Sequence, residues 1–375
     1  MGVSQLSTKE PLRMSLNSIF GISKGEKPPV FVVAEVSGNH RKEFSLATEM
    51  IKTAKECGAN AVKFQAYTPD TMTINANNKY FQIKHPEWGG QTLYELYEKA
   101  YTPWEWFKQL KKTADDIGIT FLCTGFDKTS VDLLEELDIC AHKISSFELV
   151  DLALVEYAAK TKKPLILSTG MADIAEIHEA VDTARKAGAK QIILLKCVSS
   201  YPAKPEEMNL ETIPDMKKRF GCPVGLSDHS MGFGASVCAV ALGTSMIEKH
   251  FTLSRKIETP DSFFSIEPQE LKELVENVRI AEQALGNVHY GLTEEERKSR
   301  IFRRSLFVVK DIKKGQVFSL DNIKSIRPSN GLEPSCINTI LGRKAKINIK
   351  SGTPLSWDLI EITHTRQRED KGTYE

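Results

Sequence analysis

VFVVAEVSGNHRKEFSLATEMIKTAKECGANAVKFQ, residues 30–65 of this 375-residue chain, contains one complete structural repeat. It begins with a short apolar run rich in valine, continues with apolar residues at helical spacing, and ends in a second apolar run. This order predicts a strand, a helix and a second strand, which together form a parallel β/α unit. Gly58 directly follows the helical segment, where a glycine is a typical helix C-cap residue.

The same pattern recurs along the chain, with amphipathic segments between most of the apolar runs. Eight strand and helix repeats in about 250 residues predict a closed (β/α)8 TIM barrel of the α/β class. The predicted strands are residues 30–35, 61–65, 119–124, 141–145, 164–169, 191–197, 223–227 and 246–251. The insertion at residues 67–103 follows the second strand, so we expect it to cover the mouth of the barrel.

A change in composition after residue 286 predicts a second domain. A charged stretch comes first, and then short apolar runs separated by the turn signals KKG, SNG and KSG, which are typical of a small β-rich module. The predicted organisation is an N-terminal extension (1–28), the barrel (29–286), a linker (287–303), the β-rich domain (304–361) and a polar tail (362–375).

Charge and composition exclude several classes of protein. Fifty Lys and Arg residues against 49 Asp and Glu give a net charge of +1, so nucleic acid and anionic membranes are not expected partners. No apolar run approaches the roughly 18 residues of a membrane span. The seven cysteines include no C-x-x-C pair, which argues against a zinc knuckle and a secreted disulfide framework. We therefore expect a cytoplasmic protein.

Polar residues gather at the C-terminal ends of the predicted strands, where TIM barrels carry their active sites. Each would cost about 1–3 kcal/mol if buried without a partner, so the cluster predicts a bound, charged ligand. Lysines and hydroxyl groups suit phosphate and carboxylate oxygens. The cluster comprises Glu35, Asn39, His40, Lys63, Gln65, Thr124, Lys143, Ser146, Ser168, Lys196, Ser199, Ser227, Asp228, His229, Glu248 and His250.

His229 and His250 end the seventh and eighth predicted strands, which are neighbours in an eight-stranded barrel. Two neutral imidazoles can converge there and leave positions for water and substrate, as in an open divalent-metal site. Each of these residues, taken singly, also has a purely structural interpretation. Strand-end lysines can extend to solvent, serines can cap helices, and histidines can be satisfied within a core.

The order of the strand-end motifs resembles that of the sialic acid synthase family, whose members combine a metal-dependent TIM barrel with an antifreeze-like (SAF) domain. The shared motifs are AEVSGNH, AVKFQAYTPDT, KISSFE, STGMA, SSYPA, GLSDHS, IEKHFT, PDSFFS and IRPSNG. WGGQTLYELYEKAYTPWEWF, LLKCVSSYPA and GTPLSWDLIE are most similar to the pseudaminic acid synthase branch. The resemblance covers the chain from residue 30 to about residue 361.

The resemblance implies condensation of phosphoenolpyruvate with an N-acetylated amino sugar to give a nine-carbon 2-keto acid and phosphate. For this branch the acceptor would be 2,4-diacetamido-2,4,6-trideoxy-L-altrose and the product pseudaminic acid, a precursor for cell-surface glycans or flagellin glycosylation. N-acetylneuraminate and legionaminic acid synthases are the alternatives. The family pattern also implies a divalent metal, usually manganese with magnesium or cobalt as options, and a domain-swapped homodimer.

The family motifs also imply roles for individual residues. His229 and His250 would hold the metal, and Glu35 and Glu148 are candidates for moving protons, with Glu35 favoured for its place beside Asn39 and His40. Arg327 of the small domain would reach the acyl group of the acceptor. Phosphoenolpyruvate would be bound by Lys63, Thr124, Lys143, Ser146, Ser168, Ser199 and Ser227, and the sugar by Asn39, Gln65, Tyr201, Asp261 and Arg327.

Two rival functions stay open at this point. Lys63, Lys143 or Lys196 could form a Schiff base in a pyruvate aldolase, since barrel lysines often act as nucleophiles. Alternatively, the chain could bind carbohydrate without catalysis. A non-catalytic barrel would not need polar residues at so many of its strand ends, which argues against this alternative.

Overall fold

The computed structural model describes residues 28–85 and 87–361. Nearly all of the predicted N-terminal extension (1–28) and the whole polar tail (362–375) lie outside the described residues. The chain divides into two compact units, the first ending at Gly286 and the second beginning at Asn287.

Eight parallel strands close into a barrel in sequence order, so the predicted TIM barrel is confirmed. No predicted strand end differs from the observed end by more than one residue. The strands are β1 (Phe31–Glu35), β2 (Ala61–Ala66), β3 (Thr120–Gly125), β4 (His142–Ile144), β5 (Leu165–Ser168), β6 (Ile192–Cys197), β7 (Val224–Asp228) and β8 (Met246–His250).

Helices follow the strands and pack on the outside of the barrel. Gly58 has the left-handed φ of 87° one residue beyond the C-cap of the first helix, as predicted. No helix among the described residues is long and apolar enough to cross a membrane. The helices of this unit are α1 (Phe44–Glu56), α2 (Pro69–Met72), α3 (Leu93–Ala100), α4 (Phe107–Ile117), α5 (Lys128–Glu136), α6 (Leu152–Lys160), α7 (Ile174–Lys186), α8 (Thr212–Phe220), α9 (Gly234–Ala241) and α10 (Pro268–Leu285).

Alternation along each strand separates the interior of the barrel from the surface that faces the helices. In β1, Val32 and Ala34 join the core under the helices, whereas Phe31 and Val33 join the cluster inside the barrel. Glu35 is two residues further along on the inward face and lines a pocket. The apolar interior is built by Phe31, Val33, Ala61, Leu122, Ala141, Ile166, Ile193, Leu195 and Met246.

The insertion after β2 lies over the barrel mouth, as predicted, because several of its side chains line the same pocket as the strand ends. Its short helices α2 and α3 each begin with a capping box. Trp88 ties the insertion to the loop after β8, since its indole Nε1 donates a hydrogen bond of 2.6 Å to Pro260 O.

The second unit contains an antiparallel pair of strands, β9 (Ser305–Val308) and β10 (Ile323–Ile326), as expected for a small β-rich module. Its separate core includes Leu306, Phe318 and Ile340. Helix α11 (Glu294–Ser299) lies within the segment predicted as a linker, and its capping box joins Thr293 and Glu296.

A fully buried ion pair fastens the outer faces of β7 and β8. Lys249 Nζ lies 3.0 Å from Asp228 Oδ2, and neither side chain is more than 1% exposed. Ser230 and Ser236 donate further hydrogen bonds of 2.6 Å to the same carboxylate. Asp228, which was predicted to join the strand-end cluster, therefore faces away from the pocket and pairs with Lys249.

We expect Lys249→Met to lower the free energy of unfolding by about 3–5 kcal/mol, because it leaves a buried carboxylate without its counter-ion. Urea unfolding followed by circular dichroism measures the change. Lys112→Met is the matched control, since Lys112 and Asp116 form an exposed pair at 2.6 Å whose loss costs about 0.5 kcal/mol. Equal losses in the two variants would contradict the prediction.

Candidate active site at the barrel mouth

A pocket of about 510 Å³ opens at the C-terminal ends of the barrel strands. This volume lies within the range typical of sites for small molecules. The lining combines charged side chains from the strands with aromatic and apolar side chains from the insertion.

Two buried lysines and two buried carboxylates form the floor of the pocket. Lys63 Nζ lies 2.8 Å from Glu35 Oε2, and Glu248 Oε1 lies 3.6 Å from the ammonium groups of both Lys63 and Lys143. Lys63 also donates a hydrogen bond of 3.0 Å to Thr124 Oγ1. These contacts hold two cations at one place, as anion binding requires.

The protonation of the floor follows from burial and pairing. Burial opposes the charged form of Lys63, but Glu248 and Glu35 outweigh it and raise the pKa of the ammonium group. Burial lowers the pKa of Lys143 and raises the pKa of Glu35. Burial also opposes ionisation of Glu248, yet Lys143 and Lys63 lower the pKa of this carboxyl group. Glu248 is thus the charged partner of the lysines, and Glu35 is the carboxyl group more easily protonated.

Gly170 packs closely against three polar side chains, and we call this group the Gly170 cradle. A Cβ atom at Gly170 would lie 2.2 Å from Ser199 Oγ, 2.8 Å from Ser146 Oγ and 3.2 Å from Cys197 Sγ. Gly170 N donates a hydrogen bond of 3.0 Å to Ser146 Oγ. Nearby on β5, the buried hydroxyl of Ser168 has no hydrogen-bond partner in the described part of the chain. The cradle therefore brings hydroxyl groups together at a position where only glycine fits, and these groups can donate hydrogen bonds to a small anion.

A hydrogen-bonded chain runs along the side of the pocket from Glu35 to Asp261. Gln65 Nε2 donates to Glu35 Oε1 at 2.8 Å and to Ser37 Oγ at 3.0 Å. The Ser37 hydroxyl in turn donates to Asp261 Oδ2. Burial raises the pKa of the Asp261 carboxyl group. This chain connects the floor with the loop after β8.

His229 and His250 converge at the ends of β7 and β8, with ring centroids 5.3 Å apart. The Nδ1 atom of His229 lies 2.8 Å from Val198 O, which fixes the ring and leaves Nε2 free. The Nδ1 atom of His250 is buried without a hydrogen-bond partner among the described residues. Burial lowers the pKa of His250 well below its usual value, so its imidazole is neutral, as a metal ligand must be.

This pair fits a divalent metal at an open site. No group of three or more His, Cys, Asp or Glu side chains suited to a metal occurs in residues 28–85 and 87–361. Two imidazoles alone leave coordination positions for water or for substrate oxygens, as catalytic metal sites do.

Aromatic side chains surround the two histidines. The ring of Tyr201 lies 4.4 Å from His229 and 5.2 Å from Phe264, measured between centroids. Trp88 of the insertion lies 5.6 Å from Tyr201. The rings exclude water from one side of the pocket, which strengthens electrostatic contacts there.

Glu148 lies on the opposite side of the pocket, in the loop after β4. Its carboxyl group accepts a hydrogen bond from Ser145. Burial raises the pKa of Glu148, so this group, like Glu35, is placed to carry a proton.

Most of the residues expected from the sequence meet in this pocket. They are Glu35, Lys63, Gln65, Thr124, Lys143, Ser146, Glu148, Ser168, Tyr201, Ser227, His229, His250 and Asp261, while Ser199 borders the Gly170 cradle.

Five other expected residues do not line the pocket, namely Asn39, His40, Lys196, Asp228 and Arg327. The amide nitrogen of Asn39 donates to Phe251 O and Ser265 Oγ, both at 2.9 Å, so Asn39 joins two loops and does not line the pocket. Lys196 Nζ donates to Cys197 O at 3.3 Å and is also absent from the lining. Arg327 lies in the second unit, directly after β10.

The expected place of Glu35 beside Asn39 and His40 is wrong, because the chain turns after β1 and carries both side chains away. His40 Nε2 lies 2.9 Å from Thr102 Oγ1, and its ring packs beside Phe64 and Trp106. Burial lowers the pKa of His40 to about 4, so it is a neutral core histidine.

Three further pocket residues were not assigned a role from the sequence. Glu248 was predicted as a member of the strand-end cluster but without a role, and it bridges the two lysines. Its spacing of two residues from His250 was the available signal for that role, since both face inward on β8. Ser37 lies in a loop whose conformation no periodicity reveals. Cys197 borders the Gly170 cradle, where burial would raise the pKa of its thiol but the adjacent His229 lowers it to about 7.

Comparison with known proteins agrees with the motif resemblance. Residues 50–290 match the NeuB family, and residues 303–361 match the SAF domain. The chain is 46% identical over 326 residues to the pseudaminic acid synthase of Campylobacter jejuni, which covers 87% of this chain and 95% of the relative. It is 43% identical to the pseudaminic acid synthase of Helicobacter pylori, covering 89% and 98% of the two chains.

A solved structure is similar to nearly the whole chain. The crystal structure of spore coat polysaccharide biosynthesis protein SpsE from Bacillus subtilis superposes with a TM-score of 0.61 and 35% identity, covering 90% of this chain and 97% of that one. The family match over most of the barrel and the identity over nearly the whole chain show that this protein belongs to the NeuB family, with a SAF domain after its barrel.

Proposed function

We propose that this protein is a pseudaminic acid synthase. It would condense phosphoenolpyruvate with 2,4-diacetamido-2,4,6-trideoxy-L-altrose and release pseudaminic acid and phosphate. The observation that carries the proposal is the 46% identity to a pseudaminic acid synthase over 95% of its length. A pocket with two buried lysines beside two histidines suits an enzyme that joins an anionic donor to a carbonyl acceptor.

Phosphoenolpyruvate would occupy the floor and the Gly170 cradle. Lys63 and Lys143 would neutralise its phosphate and carboxylate charges, and the surrounding hydroxyl groups would donate hydrogen bonds to the same oxygens. The groups proposed for this role are Lys63, Thr124, Lys143, Ser146, Ser168, Ser199 and Ser227.

The acceptor sugar would lie between the floor and the aromatic side chains. Gln65, Tyr201 and Asp261 are the proposed contacts, because they line the pocket next to the two histidines. Asn39 would act indirectly, by holding the loop that carries Asp261. We also propose a domain-swapped homodimer, in which Arg327 of one subunit serves the acyl group of a sugar bound to its partner.

His229 and His250 would hold a divalent metal, for which we propose manganese, with magnesium or cobalt as options. When bound, the metal would supply Lewis-acid polarisation of the acceptor's aldehyde oxygen. Both residues are buried on the inward face of the site, so they would keep their rings oriented without substrate.

The reaction forms one carbon–carbon bond and breaks one carbon–oxygen bond. Carbon 3 of phosphoenolpyruvate attacks the aldehyde carbon of the open-chain sugar, water adds at carbon 2, and phosphate leaves from the same carbon. A proton must reach the new alkoxide, and another must leave the attacking water. Glu35 and Glu148 are the proposed carboxyl groups for these transfers, because burial raises the pKa of both. One of them would donate a proton in its neutral form, and the other would accept one in its ionised form.

Such an enzyme would supply a precursor for cell-surface glycans or flagellin glycosylation, and we place it in the cytoplasm, where phosphoenolpyruvate is made.

A Schiff-base aldolase is less well supported. Lys196 is absent from the pocket lining, and Glu248 and Glu35 favour the charged form of Lys63. Lys143, whose pKa burial lowers, is the lysine that could serve an aldolase, but the 46% identity to a pseudaminic acid synthase favours the synthase.

We expect phosphate release from phosphoenolpyruvate in the presence of Mn²⁺ and the diacetamido altrose. The legionaminic-type diacetamido sugar and N-acetylmannosamine, tested in parallel, should support much slower release. A preference for either of these sugars would assign the enzyme to another branch of the family. Inactivation by borohydride with pyruvate, without phosphate release, would instead favour the aldolase.

Gly170→Ala should raise the KM for phosphoenolpyruvate by about 100-fold, because its Cβ would displace Ser199 and Ser146. Steady-state kinetics with each substrate varied in turn measure the effect. Gly234→Ala is the control, since a Cβ atom there meets nothing within 4 Å. An unchanged KM in Gly170→Ala would show that the cradle does not hold the donor.

His250→Ala should weaken Mn²⁺ binding by at least about 100-fold. Loss of an outer-shell partner of a metal ligand already lowers metal affinity about 10- to 100-fold, and His250 is a proposed direct ligand. Titration of free Mn²⁺ by electron paramagnetic resonance measures this affinity without reliance on turnover. The exposed His178 on α7 provides the control variant, His178→Ala. Equal affinities in the two variants would remove His250 from the metal site.

A further inference from the structure

Ser37 adopts a backbone conformation that favours glycine. Its φ of 48° lies in the left-handed region, where a Cβ atom crowds the following carbonyl group. Six other non-glycine residues in the described part of the chain share a positive φ, and none of them is buried. Ser37 is only 4% exposed and lines the pocket. A buried residue under backbone strain at an active site calls for a functional explanation.

The hydroxyl group of Ser37 provides one. It accepts a hydrogen bond of 3.0 Å from Gln65 Nε2 and donates its single proton to Asp261 Oδ2. The amide nitrogen of Gln65 can only donate, so the Ser37 hydroxyl accepts this bond and keeps its own proton for Asp261. Glycine would remove the strain but would leave Gln65 and Asp261 without this shared partner.

A purely structural role for Ser37 would duplicate contacts that already exist. Asn39 joins the loop after β1 to the loop after β8 through hydrogen bonds of 2.9 Å to Phe251 O and Ser265 Oγ. Val36 N also donates to Lys63 O at 2.9 Å, which fixes the end of β1 against β2. The two loops would therefore stay joined without the Ser37 hydroxyl.

We propose that Ser37 is a positioning residue for the acceptor sugar. It acts through Gln65 and Asp261, whose free atoms it orients toward the sugar end of the pocket. The inference rests on the proposed function, since both of its partners are proposed acceptor contacts. Ser37 makes no direct hydrogen bond to the lysines or serines proposed for phosphoenolpyruvate.

The test compares Ser37→Ala with Ser37→Gly in the full-length enzyme. We expect both variants to raise the KM for the altrose sugar by about 10- to 100-fold, because a hydrogen bond to a charged group is lost, and to leave the KM for phosphoenolpyruvate unchanged. Ser37→Gly should also raise the melting temperature, since glycine adopts the left-handed conformation without strain. Stability and acceptor use would then change in opposite directions, which a structural role does not predict.

A double mutant isolates the route through Asp261. Asp261→Ala and Ser37→Ala together should raise the acceptor KM by less than the product of the two single effects, because Asp261→Ala already removes one of the two partners through which Ser37 acts. Ser262→Ala is the matched control. Ser262 is also 4% exposed, but within residues 28–85 and 87–361 its hydroxyl bonds only to the backbone of Thr259.

The outcomes separate the two proposals. If the wild-type enzyme releases no phosphate with the altrose sugar, the proposed function fails. If the wild type is active and Ser37→Ala keeps the acceptor KM, the inference about Ser37 fails. It is also overturned if both variants raise the KM for both substrates and lower the melting temperature together, because that pattern indicates a general structural role.

Discussion

The burial of two ammonium groups at one point inside the barrel is the constraint on which the site depends. Lys63 and Lys143 are both about 3% exposed, and such charges are tolerated only when they are paired. Glu248 contacts both at 3.6 Å, and Glu35 contacts Lys63 at 2.8 Å. The free site is therefore close to neutral. Because burial raises the pKa of Glu35, this group can take up a proton when an anion approaches Lys63.

The barrel makes this arrangement possible through the alternation of its strands. Residues two apart on one strand face the same side, so the apolar layer of Phe31, Val33 and Met246 lies directly beneath the charged layer of Glu35 and Glu248. The apolar layer keeps water from the lower side of the lysines and strengthens their pairing. A lysine in such a position also has little freedom to move, which orients it for a ligand.

Much of this could be predicted from the sequence because the strands are buried, short and bounded by turn residues. Their ends could be predicted to within one residue, and most strand-end polar residues do meet. The predictions failed in segments where the hydrophobic periodicity of strands and helices is absent. Asn39 lies beyond the end of β1, where the left-handed turn at Ser37 redirects the chain. Helix α11 was missed although Thr293 and Glu296 have capping-box spacing, because its residues are exposed and carry no apolar stripe.

The two ends of the pocket are built differently, and this difference bears on specificity. The proposed donor end is formed by strands and by Gly170, where the absence of a Cβ atom lets Ser199 and Ser146 pack closely. The proposed acceptor end is formed by loops after β1, β6 and β8 and by the insertion, which Trp88 fastens to Pro260. Loops accept substitutions more readily than barrel strands do. Related enzymes can therefore keep the chemistry of the donor and change the sugar. Ser37 fits this view, because it keeps a left-handed backbone conformation that glycine would adopt without strain. A residue of this kind is one that a change of acceptor sugar would alter.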